Sequence, residues 1–265
     1  MNAWRGKWAV VTGASSGIGW ALAEQLAAGG THLVLTARRR QRLEELAAKL
    51  RAANPINIEV LVADLEQSSA PEEIFAFTES KGIVVDLLVN NAGYGAHGEF
   101  HKSDHARQLG MVQVNCAAVV HLTHLFLPGM VGRRCGDILI LASTAGFQPV
   151  PYNSTYSATK AFDLLFAEAL AEEVARYGVR VCALCPGSTA TEFGAVAGSP
   201  RPAGIRRGQE SAEKVARVGL EALAAGKHSV ISGFKNRLGV ELERLLPRRF
   251  VTGAAARLFR PKHLR

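Results

Sequence analysis

A chain of 265 residues, 48% of them hydrophobic, is long enough to bury one sizeable α/β core. Its four cysteines, Cys116, Cys135, Cys182 and Cys185, are too sparse for a disulfide scaffold and fit a reducing, cytoplasmic setting. The net charge of +8 sits mostly in one place: Gly233 to Arg265 holds nine basic residues against Glu241 and Glu243, a net of +7, which leaves the first 232 residues at +1. A body so near neutrality, with no basic–aromatic surface pattern, argues against a nucleic-acid partner.

Short apolar runs alternate with helical patterns along the chain. "WAVVT" reads as a first strand ending at Gly13, and "GIGWALAEQLAAGG" as the helix after it. "HLVLTA" and "RRQRLEELAAKLRAAN" repeat that pair, and "INIEVLVADL" precedes an acidic helix starting near Pro71. "VDLLVNNAG" is followed by a helix over 104–130 and then by "GDILILASTAG". The uncharged run Gln108–Gly132 carries Gln113, Asn115, His121, His124 and Pro128, so it reads as a buried helix rather than a membrane span. No apolar segment of signal-peptide length precedes the first glycine turn. A helix over 155–176 leads into "VRVCALCPG", and a last one over 211–225 into "HSVIS". Cys182 and Cys185 form a CxxC, but in a strand positions three apart face opposite ways, so the pair reads as structural.

Seven nearly continuous apolar strands separated by helices predict one doubly wound Rossmann domain of the α/β class over 1–232. Its seven-stranded, mostly parallel sheet carries helices on both faces. Two regions break the rhythm. Residues 192–210 are rich in Gly and Pro and suit a substrate lid, with Phe193, Val196 and Ile205 as apolar wall and Arg201, Arg206 and Arg207 as basic rim. Residues 233–265 predict a basic amphipathic helical extension, with Leu238, Leu242, Leu245 and Leu246 at helical spacing before Pro247 and Val251, Ala254, Ala255 and Leu258 after it. Its two readings are a peripheral membrane contact and packing on the body or on another subunit.

The turn from Gly13 through Ser15, Ser16, Gly17, Ile18 and Gly19 lies between first strand and first helix. Glycines there let a phosphate approach the backbone, and the helix start offers free N–H groups to a pyrophosphate. At the second strand tip the place of a ribose-binding acid is taken by Ala37, and Arg38, Arg39 and Arg40 follow. A guanidinium suits a 2′-phosphate, so NADP(H) is favoured over NAD(H), through Arg38 and Arg39; Arg40 reads as the solvated start of a helix.

Tyr156 and Lys160 stand at i and i+4, which places a phenol and an ammonium on one helix face. A nearby cation favours the phenolate, so such a phenol can exchange a proton with a carbonyl or alcohol oxygen. Ser143 follows an apolar strand and so falls at the carboxyl edge of the sheet, where its hydroxyl can bond a substrate oxygen. Tyr152, the nearest other phenol, reads as a pocket wall.

"TGASSGIG", "NNAG" at 90–93, Asn115, Ser143, "YSATK" at 156–160 and "PGSTAT" at 186–191 occur in this order. In these motifs, over about residues 6–232, the chain resembles the short-chain dehydrogenase/reductase family. The resemblance implies that Lys160 also grips the nicotinamide ribose and that Asn115 holds a proton-relaying water. It places Asp64 and Leu65 at the adenine, and Asn91, Ala92 and Gly93 along the cofactor channel, Asn91 with a structural alternative. It places Pro186, Gly187, Thr189 and Thr191 around the nicotinamide. The expected activity is NADP(H)-dependent interconversion of a hydrophobic ketone or aldehyde and its alcohol, in a homodimer or homotetramer. Alternatives are a non-catalytic nucleotide-sensing or scaffold protein and an NAD-dependent alcohol dehydrogenase. His97, His101 and His105 show no metal spacing, and no metal is expected.

Overall fold

The computed structural model describes residues 3–198, 209–261 and 264. The strands are β1 (Trp8–Thr12), β2 (His32–Ala37), β3 (Ile58–Val62), β4 (Val85–Asn90), β5 (Gly136–Leu141), β6 (Val179–Cys185), β7 (Thr189–Ala190), β8 (Glu210–Ser211) and β9 (Ser229–Ile231). Seven of them form one sheet in the order β3-β2-β1-β4-β5-β6-β9, and every pair in it is parallel. The order reverses between β1 and β4, the switch point at which ligands bind in doubly wound sheets.

Alternate residues of each strand enter opposite cores. Val10, Leu88, Ile138 and Val181 pack under the helices Ala70–Ser80, His105–Val112, Ala118–Gly132 and Ser154–Val174. Val11, Leu87, Leu139 and Leu184 pack under the helices Gly17–Ala28, Arg40–Ala53 and Ala212–Ala224. Cys185 belongs to the first core and Cys182 to the second, and burial pushes both thiols up, Cys182 to about 12. The helix starts follow local chemistry. Pro71 sits in the first turn of Ala70–Ser80 beside Glu72 and Glu73. Asp104 accepts the Ala106 N–H, and Ser211 accepts that of Lys214.

His105–Gly132 is long and apolar enough to cross a membrane by length and composition, but Met111, Leu122, Phe126 and Met130 bury its inner face against the sheet. Its middle, Gln113–Ala117, is a π-helical turn in which the Ala118 N–H reaches the Gln113 carbonyl. A two-stranded parallel pair, β7 with β8, was not expected and lies at the ends of the 192–210 segment. Two-residue strands carry no periodicity that a sequence reading could detect. Ile205, Arg201, Arg206 and Arg207 of the expected lid lie outside the described residues.

The amino end of the sheet is tied by a buried carboxylate. Asp137, in β5, accepts the Trp4 indole N–H at 2.7 Å and a two-point bond from Arg180 of β6, at 2.6 and 2.9 Å. Trp4 is almost fully buried, so its indole depends on that carboxylate. Asp137→Ala is expected to cost about 2 kcal/mol, because a buried donor loses its acceptor. Thermal unfolding of the purified variant checks this.

Candidate active site

The first turn is shaped by contacts behind it. Gly13 and Gly17 take φ values of 66° and 59°, which side chains rarely adopt. A Cβ on Gly19 would stand 2.4 Å from both the Gly13 carbonyl oxygen and Asn91 Nδ2. Gly19 therefore permits close helix-to-turn packing, and it does not itself line the cleft. Asn91 Nδ2 donates to the Thr12 carbonyl at 2.7 Å, while Thr12 Oγ1 accepts the Asn91 and Ala92 N–H groups. These bonds join the exits of β1 and β4 and hold the mouth of the switch point open.

A cleft of about 550 Å³ runs along the carboxyl edge of the sheet. One end is lined by Gly13, Ser15, Ser16, Gly17 and Ile18, with Arg38, Arg39, Asp64 and Leu65 beside them. Ala92 and Gly93 lie in the middle, and Ser143, Tyr156, Lys160, Pro186, Gly187, Thr189 and Thr191 at the other end. The Arg39 guanidinium rests on Ser15 Oγ at 3.1–3.2 Å and pairs with Glu192 at 2.8 Å. Arg38 turns instead toward Glu66, at 3.4 Å. Arg40 is exposed and pairs with Glu44 on its own helix. This gallery fits a dinucleotide: free N–H groups of a helix start, glycines at positive φ, and a cation where the second strand ends.

At the far end Ser143 caps a short turn, its Oγ accepting the Ala145 N–H at 3.1 Å and donating to the Pro186 carbonyl at 3.4 Å. Tyr156 and Lys160 lie in the first two turns of Ser154–Val174. Lys160 is almost fully buried; its Nζ donates to the Leu141 carbonyl at 2.6 Å and to Asp163 Oδ2 at 2.9 Å. Burial opposes the Lys160 charge, but the Asp163 carboxylate, with smaller help from Tyr156 and Cys116, outweighs it and holds the ammonium above the usual lysine range. Burial likewise pushes the Asp163 carboxyl up, against the pull of Lys160.

The structure places three further residues away from the cleft lining. Asn115 does not line the cleft. It is fully buried, and its carboxamide donates to the Tyr94 carbonyl and Thr159 Oγ1 and accepts the Tyr94 N–H. The π-helical turn carries it there, so it braces the chain after β4 against the Tyr156 helix. Tyr152 is not a cleft wall; its φ is 66° and its carbonyl accepts the Gly98 N–H, while Val150 and Asn153 line the cleft on either side of it. Gly19 packs against the turn, as above.

The sequence reading missed Asp163, Tyr94 and Phe259. Asp163 stands three residues after Lys160 on a mostly apolar helix face, a signal that spacing alone offers. Tyr94, which lines the cleft, has its phenol pushed up to about 12 by burial and by Glu66. Phe259 reaches the cleft from the C-terminal extension, and its carbonyl accepts a 2.7 Å bond from His97 Nε2. Among the described residues no cluster of His, Cys, Asp or Glu is set to hold a metal.

The parallel sheet carries a glycine turn at its switch point and a Ser–Tyr–Lys group at its carboxyl edge. The sequence profile of the short chain dehydrogenase family matches residues 7–201, and the chain belongs to that family. It is 35% identical over 181 residues to a very-long-chain 3-oxoacyl-CoA reductase of Phaeosphaeria nodorum, covering 67% of this chain and 53% of that one. The chain thus spans about half the length of that relative. Among solved structures, a short-chain dehydrogenase from Sphingobium yanoikuyae in complex with NADPH superposes with a TM-score of 0.79 at 28% identity, covering 90% of this chain and 94% of that one. A Burkholderia phymatum short chain dehydrogenase/reductase in complex with NAD gives 0.82 at 28% identity, covering 92% and 95%.

Replacing Asp163 by Asn removes the anion that contributes most to sustaining the Lys160 charge against burial. The ammonium then loses its proton at lower pH, so the alkaline limb of kcat/KM is expected to move to lower pH. A pH–rate profile checks this. A limb that stays in place while stability falls would mean that Asp163 only packs.

Proposed function

We propose that the protein interconverts an apolar ketone or aldehyde and its alcohol with NADP(H). The observation that carries the reading is that Ser143, Tyr156 and Lys160 open onto the same cleft as the glycine turn. The bound dinucleotide supplies or accepts the hydride. Tyr156 gives its hydroxyl proton to the carbonyl oxygen in reduction and takes it back in oxidation. Ser143 donates a hydrogen bond to that oxygen and holds the charge that develops on it. Lys160, fixed by Leu141 and Asp163, keeps a positive charge near the phenol, and Asn115 braces the Tyr94 segment behind the cleft. Preference for NADP(H) is supported by Arg39 on Ser15 and by Ala37 where an acid would repel a 2′-phosphate.

The substrate end supports an apolar compound. Tyr94, Val150, Phe193, Val196, Ala197 and Phe259 line it, and the Phe193 ring lies 5.2 Å from that of Tyr156. The Phaeosphaeria relative is named for a substrate of this kind, a long acyl chain bearing a ketone. Exposed Leu109, Val112, Phe162 and Leu165, on helices of one sheet face, support a homodimer or homotetramer.

Loss of NADPH over a panel of ketones and aldehydes tests the reading. Tyr156→Phe is expected to lower kcat by roughly 10²–10⁴-fold with little change in cofactor binding. Full activity in that variant, or turnover confined to small polar sugars, would overturn it. Arg39→Ala is expected to weaken NADPH binding roughly 10- to 100-fold, the loss of a charge-assisted contact, and to leave NADH binding nearly unchanged. Titration with each cofactor measures the difference.

A further inference from the structure

The C-terminal segment has two unlike faces. Val240, Val251 and Ala255 are buried and hold the helices Phe234–Glu243 and Arg248–Phe259 on the body. On the other side Phe234, Leu238 and Leu242 recur at i, i+4 and i+8 of the first helix, so they form one stripe, and Leu245 follows in the turn after it. All four are exposed, Phe234 and Leu245 at 80%, and Phe250 on the second helix is exposed too. A stripe of this length on an anchored helix is not a scatter of single apolar side chains.

Charge decides what covers it. Lys235, Arg237, Arg244, Arg248, Arg249, Arg257 and Arg260 stand against Glu241 and Glu243 in the described part, a net of +5. A second copy seated on the stripe would bring +5 against +5, and that repulsion opposes self-pairing there. An anionic lipid surface gains about 1 kcal/mol for each basic residue brought near it, and the apolar stripe enters the interface beside the headgroups.

We propose that the two C-terminal helices are a docking surface for an anionic lipid bilayer, set at the mouth of the substrate cleft. The placement follows from Phe259. Phe259 lines the cleft, and its carbonyl is bonded to His97, so the body-facing side of the docking element is itself a wall of the site. Seating the stripe on a membrane brings the cleft entrance to the lipid. An apolar carbonyl compound dissolved there then reaches Tyr156 without crossing bulk water. This last step rests on the proposed substrate class; the docking does not.

Sedimentation of the full chain with vesicles tests it. Binding to vesicles of phosphatidylcholine mixed with phosphatidylserine is expected to exceed binding to phosphatidylcholine alone by about tenfold, and to weaken with salt. The triple variant Leu238→Glu, Leu242→Glu, Leu245→Glu, all at exposed positions, is expected to lose that binding while reducing a water-soluble ketone at the wild-type rate. A second variant, Arg248→Gln with Arg249→Gln, should retain the fold and bind anionic vesicles several-fold more weakly. Wild-type chain that stays in solution with the anionic vesicles overturns the proposal. So does a dimer in solution that the leucine variant dissociates, because a second copy would then own the stripe. Vesicle binding is read without substrate and ketone turnover without vesicles, so a failure of docking is distinct from a failure of the proposed reaction.

Discussion

A lysine ammonium taken out of water is the constraint on which the site depends. Burying such a charge is costly unless it is paired and fully bonded. Lys160 is paired through one carbonyl at the end of β5 and one carboxylate a turn further along its own helix, which take two of its three N–H donors. The two bonds point in different directions, so they fix the ammonium relative to the sheet as well as to the helix. Asp163 spends only one oxygen on this, and its Oδ1 has no hydrogen-bond partner among the described residues. The pair is therefore held under strain of solvation, which a purely structural ion pair would avoid by facing water.

Around this point the sheet exits are laced together. Thr12 and Asn91 join the ends of β1 and β4, while Ser143 and Thr144 join the end of β5 to Pro186 after β6. Asn115 adds a brace from the π-helical turn to Tyr94 and Thr159. Helices with one irregular turn at a functional site are a recurring device. Here the irregularity turns an amide inward to join two segments that are distant in sequence. The cleft is consequently rigid on its sheet side, and its outer wall comes from separate segments, Phe193 and Phe259.

Much of this was legible in the sequence because it repeats over short spans. Apolar strands alternating with 3.6-residue patterns announced a parallel sheet, and the i, i+4 relation of Tyr156 and Lys160 announced a shared face. What stayed hidden depends on contacts between distant segments. Asp163 looks like a surface acid until the helix is packed, because nothing local says which side is covered. The inward bonds of Asn115 depend on a π-helical turn, which no local pattern announces. Arg38 and Arg39 were indistinguishable in a run of three arginines; the structure separates them, one toward Glu66 and the other onto Ser15. Phe259 joins the cleft across 162 residues from His97, a distance at which no pattern operates. The β7 and β8 pair is too short to carry any period.

The strand order also governs how the chain comes off the ribosome. Parallel strands cannot close as hairpins, so each neighbour waits for a crossover. β1 gains β2 early, when Trp8 meets His32, but its other flank waits for Val85. At synthesis rates of about 5–20 residues per second, that delay lasts roughly 3 to 11 seconds. Throughout it, an apolar strand destined for the middle of the sheet stands with one edge bare. Nascent-chain protection by a chaperone would matter most in that interval, well before Ser143, Tyr156 or Lys160 has been made.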